Sequence, residues 1–179
     1  MVCDMDRKAG ATMWTAVVRT LSAAMLLATV TNVSPGQAGP FEDGYAALSR
    51  GDIETALQIW RELADDGNAD AQFNLGYLYD HGRGVREDPV EAMRWYRQAA
   101  VQGDAIAQFT VGAMYEGHRG VPLDYVQAHL WYGLAASRFT DAQAEDRKRA
   151  VASRDRVAAK MTPAQIAEAQ KLAQEWKPK

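Results

Sequence analysis

The chain has 179 residues, with 20 basic and 23 acidic side chains and a single cysteine, Cys3. A net charge of −3 argues against nucleic-acid binding, and one cysteine excludes a disulfide framework. No nucleophile elbow, phosphate loop or zinc-ligand spacing occurs along it.

Residues 1–38 read as a secretory signal. Arg7, Lys8 and Arg19 are basic, and residues 21–33 are mostly apolar. Gly36-Gln37-Ala38 offers a small-x-small cleavage site after Ala38. The apolar stretch is shorter than the roughly 20 residues that a spanning helix needs. The signal predicts a periplasmic or secreted protein, with membrane contact only through an uncleaved signal. Beyond residue 38 the chain keeps 17 basic and 21 acidic side chains and has no cysteine. Its length suits one domain.

Residues 41–70 read as a partial unit. A first helix is predicted near 41–49. A second follows Gly51-Asp52, with Ala56, Ile59, Trp60, Leu63 and Ala64 on one face and Gly67 closing it. Two full units then span 71–106 and 107–140, set 36 residues apart. Such a period decides architecture before any local reading is made. Shared positions include Ala71/Ala107, Gln72/Gln108, Phe73/Phe109, Gly76/Gly112, Gly84/Gly120, Trp95/Trp131 and Tyr96/Tyr132. The shared apolar residues recur at helical spacing, once before the glycine-rich turn and once after it. Asp88-Pro89-Val90-Glu91 and Asp124 with Gln127 predict helix caps and capping boxes. Arg138 and Phe139 stand where the first copy has Gln102 and Gly103, so the stack is expected to change course there. Residues 141–179 predict a capping helix pair, starting at Thr140 and at Thr162-Pro163.

The pattern Ala-x-x-x-Leu-Gly-x-x-Tyr, Gly-Val-x-x-Asp and Ala-x-x-Trp-Tyr-x-x-Ala-Ala, as it stands in residues 71–100, resembles the Sel-one-like repeats, relatives of the tetratricopeptide repeats. The resemblance implies an all-α fold, a right-handed α-solenoid of helix-turn-helix units. It implies a scaffold or adaptor that binds a protein partner through its concave face; with the missing catalytic motifs and the signal of residues 1–38, the expected role is a non-enzymatic one in the cell envelope. Some cysteine-rich members have been credited with hydrolase activity, but their paired cysteines are missing here. A structural subunit of a secretion or polysaccharide assembly is the alternative role.

The concave face then carries Asp70, Phe73, Asn74, Tyr77, Asp80 and His81 from one unit. Phe109, Thr110 and Glu116 come from the next. Aromatic anchors would hold apolar side chains and carboxylates would meet basic ones. Phe73 and Phe109 recur, so packing between units is the competing role for them. Asn74 and Tyr77 do not recur, which favours contact with a partner. No catalytic residue, cofactor or metal site is predicted. His81 and His118 fall in equivalent turns, but without a ligand spacing specific to zinc. The basic run Arg147-Lys148-Arg149 reads as a solvated helix face.

Overall fold

Each repeat begins where a short polar side chain catches its own backbone. Asn68 accepts from the N–H of Ala71 at 2.8 Å. Asp88 accepts from the N–H groups of Val90 and Glu91, both at 3.0 Å. Asp124 accepts from Gln127 at 3.0 Å. These bonds satisfy donors that a helix start leaves unpaired.

The structure, a computed structural model, describes residues 39–117 and 119–179. The signal reading of residues 1–38 therefore lies outside the described residues, and so does His118. The helices are α1 (Pro40–Ser49), α2 (Ile53–Asp65), α3 (Ala69–His81), α4 (Pro89–Gln102), α5 (Ala105–Gly117), α6 (Tyr125–Arg138), α7 (Ala144–Ala158) and α8 (Pro163–Glu175). A 3-10 turn at Asp141–Gln143 leads into α7. No strand occurs among the described residues. Consecutive helices pack on one another from α1 to α7, and α8 folds back onto α6. The expected stack of helix pairs results.

Reciprocal capping boxes form at Thr140/Gln143 and Thr162/Gln165. The expected box at Asp88/Glu91 is only half made, and the backbone explains why. The Asp88 N–H, which Glu91 would have satisfied, already donates to the Tyr79 carbonyl at 2.9 Å. Glu91 turns instead to Arg94, whose Nε donates to it at 2.9 Å. Asp124 repeats this arrangement through the Tyr115 carbonyl at 3.3 Å.

Two shared glycines set how closely the helices approach. A Cβ built on Gly76 would meet the Tyr96 ring at 2.6 Å, and one on Gly112 would meet Tyr132 at 2.9 Å. Gly44 of α1 lies against Trp60 of α2 in the same way. Small-against-large packing thus holds each hairpin together. The core rings Trp60, Trp95, Tyr96, Trp131 and Tyr132 are all buried.

The turns stack too. Gly84 rests on Ile53 at the start of α2, and Gly120 rests on Pro89 at the start of α4. Both have φ near +70° (+71° and +72°), where a side chain would be strained. The repeat ends as expected at Phe139. Gly103 closes α4 with a φ of +101°, whereas Phe139 leaves α6 with a φ of −59° and is buried. The chain then turns, held by Arg147, whose Nε donates to the Phe139 carbonyl at 3.2 Å. Trp176 ends α8 beneath the Arg138 guanidinium, 4.5 Å from the ring centre.

Candidate functional site: the exposed face of the first helices

Side chains link alternate helices: the Tyr45 hydroxyl of α1 donates to Asn74 of α3, and Arg156 of α7 pairs with Glu116 of α5. Along α3, Asp70 and His81 are exposed, and Phe73 and Tyr77 are half-buried. Tyr77 stacks on His81 with ring centres 4.1 Å apart, and the Arg83 guanidinium lies 5.5 Å from the Tyr77 ring. The His81 Nδ1 is 3.0 Å from the Tyr77 carbonyl. Burial pushes the Tyr77 phenol up from its ordinary value.

Phe73 meets Tyr96 at 5.3 Å and Phe109 meets Tyr132 at 5.2 Å. Their recurrence is therefore explained by packing on the second helix of their own unit, with one edge left open. Thr110 is half-buried, and its hydroxyl donates to the Ile106 carbonyl at 2.9 Å.

Three of the proposed contact residues turn inward. Asn74 is only 6% exposed and accepts from the Tyr45 hydroxyl at 3.2 Å, so it joins α3 to α1 rather than facing a partner. Asp80 is held by Arg119 of the next turn at 2.8 Å. Glu116 is held by Arg156 at 2.8 Å and Lys160 at 3.4 Å, and it accepts from the Tyr132 hydroxyl at 3.0 Å. Burial would raise the Glu116 carboxyl, but the bonds from Arg156 and Tyr132 outweigh it and hold the group below its usual range. These carboxylates clasp one unit to the next, and a partner would have to displace an existing cation to use them.

Two aromatic residues belong on the same face and were missed. Phe41 and Tyr45 stand 32 residues before Phe73 and Tyr77, because the turn of the first unit is four residues shorter. Phe41 and Tyr45 pack edge to face at 5.1 Å, both beside Trp60. Phe41/Phe73/Phe109 and Tyr45/Tyr77 thus make a row of ring edges across three units. A search at a period of 32 as well as 36 would have found them.

Among the described residues no three His, Asp or Glu side chains gather to hold a metal. No described helix is long and apolar enough to cross a membrane.

The Sel1 repeat family model matches residues 69–104 and 105–138. A Sel1 repeat protein from Oxalobacter formigenes is 34% identical over 62% of this chain and 86% of that one, with a TM-score of 0.54. The protein c5321, a protective antigen present in uropathogenic Escherichia coli strains and displaying an SLR fold, is 30% identical, with a TM-score of 0.68. That match covers 76% of this chain but only 29% of the length of c5321. No curated protein matches the chain.

Proposed function

The chain belongs to the Sel1 repeat family, and on that premise we propose that it is an exported, non-enzymatic adaptor of the cell envelope. Sel1 repeats commonly mediate protein–protein interaction. The adaptor reading places the partner on the concave face formed by the first helices, with Asp70, Tyr77 and His81 as contacts and the open edges of Phe41, Phe73 and Phe109 beside them. The observation that carries it is the Tyr77–His81 stack, a rigid aromatic pair at the surface with an exposed carboxylate two helical turns away. Aromatic anchors of this kind contribute most where they are pre-ordered. Support for export comes from the sequence of residues 1–38.

The test is affinity capture from a membrane-and-periplasm extract, with mass spectrometry of what is retained. A partner held by the wild type and lost by Asp70→Ala/Tyr77→Ala/His81→Ala supports the reading. Equal capture by both chains rejects that surface. Export is checked by sequencing the amino terminus after periplasmic expression, with Gly39 expected first.

A further inference from the structure

In the second unit, the groove between the paired helices receives the end of the helix before it. The Gln72 amide donates to the Ala64 carbonyl at 3.0 Å. The Gln102 amide donates to the Gly67 carbonyl at 2.9 Å and to the Gln72 Oε1 at 2.8 Å. The third unit receives the end of α4 likewise. Gln108 donates to the Ala100 carbonyl at 3.0 Å, and Arg138 lies against Gly103. In both units the seat offers donors, and what enters it is the carbonyl-bearing, partially negative end of a helix.

The first unit has the same seat, a hollow of about 270 Å³ lined by Pro40, Asp43, Ile59, Glu62, Leu63 and Asp66. No described residue fills it. Its chemistry is inverted. Pro40 stands where Gln72 stands in the next unit, and Asp66 stands where Gln102 does. Both donors are gone. Asp43 takes the place of the buried Leu75, and Glu62 that of Gln98. Asp43, Glu62 and Asp66 are exposed, and none of them is in an ion pair among the described residues. Ile59 and Leu63 remain as an apolar floor, both half-buried. A helix carboxyl end would now meet carboxylates and find no N–H, so a further Sel1 unit of the usual kind is repelled.

We infer that this vacant end-seat docks a lysine- or arginine-bearing segment of a partner protein, the aliphatic stem on Ile59 and Leu63 and the cation among Asp43, Glu62 and Asp66. A long basic side chain has the required form, an apolar stem with a charged tip. The basic run of a second copy of this chain does not compete for the seat. The Lys148 and Arg149 cations of its basic run are already paired with Glu145 and Asp146. The seat is separate from the Asp70–Tyr77–His81 face, so the two surfaces can fail independently.

The probe is a fluorescein-labelled octapeptide, Gly-Ser-Leu-Lys-Leu-Lys-Ser-Gly, read by anisotropy with the purified chain. A control peptide carries Glu in place of both Lys. Wild type is expected to bind the lysine peptide and not the control, more weakly as salt rises from about 0.05 to 0.5 M. Asp43→Asn/Glu62→Gln/Asp66→Asn should weaken binding at least about tenfold, as loss of close charge pairs does. Wild type and triple variant binding alike, or no preference between peptides, would overturn the seat. Binding lost instead in Asp70→Asn/Tyr77→Ala would move the peptide to the other face and overturn the seat while leaving the adaptor reading standing. Salt-sensitive self-association abolished by the triple variant would give the seat to a second copy and overturn the partner assignment.

Discussion

Residues 69–104 and 105–138 fold alike yet meet different neighbours. In the first repeat, Gln102 bonds Gln72, and Asp80 reaches Arg119 in the next turn. In the second, Arg138 leaves Gln108 for Trp176, and Glu116 reaches Arg156 in α7. Among the described residues the Gln108 Oε1 is left buried without a partner. Positions that build the hairpin are kept. Positions that face the next element change with what that element is. The repeat is thus two designs in one: an internal one that recurs, and an external one fitted to its place in the row.

The largest test of this division removes a shared ring. Tyr96→Ala and Tyr132→Ala should each cost about 3–5 kcal/mol in urea unfolding, as large aromatic truncations in cores do. A cost under about 1 kcal/mol for either would show that the ring does not hold its hairpin.

Next come the glycines against those rings. Gly76→Ala and Gly112→Ala should each cost about 1–3 kcal/mol from overpacking. Gly76→Ala should cost more, since its Cβ would lie at 2.6 Å from the ring against 2.9 Å. The reverse order would show that ring displacement, not spacing, sets the cost.

The neighbour-facing carboxylate comes third. Its pKa is depressed in the folded chain, so its contribution is present above the ordinary glutamate value of about 4.3 and is lost as pH falls through the folded value. Wild type should therefore lose about 1 kcal/mol more than Glu116→Gln between pH 7 and pH 3, discounted because Arg156 is half exposed. Equal losses would mean that the clasp contributes nothing. The smallest effect is Arg138→Gln. It recreates the Gln72–Gln102 bond at Gln108 while losing the stack on Trp176, so the melt should move by less than about 1 kcal/mol. Hydrogen exchange in α8 should rise even so. Unchanged exchange would separate Arg138 from the anchoring of α8.

Local chemistry made the helices legible. Asp88, Asp124 and Thr162 announce their starts, and Gly67 and Gly103 close the helices at left-handed φ. The site was less legible, because its state depends on partners far along the chain. Asp80 finds its cation 39 residues away and Glu116 finds one 40 residues away. No periodicity of one helix reveals either pairing. Asn74 looked free because it differs between copies. Its partner Tyr45 was hidden by a turn four residues shorter than the others. Tyr77 and His81 were legible because their stack is local, one helical turn apart.

The glycine turns that rest on the preceding hairpin carry an evolutionary corollary. Gly84 and Gly120 each rest on the start of the second helix of the preceding unit, at Ile53 and at Pro89. The first unit's turn is four residues shorter and still seats Gly84, so length can change within a turn but not at the helix start that carries the contact. Adding a complete 36-residue copy between Asp104 and Ala105 would find matching surfaces on both sides. Such a gene can lengthen by whole modules, and by small steps only where a turn leaves those helix starts in place.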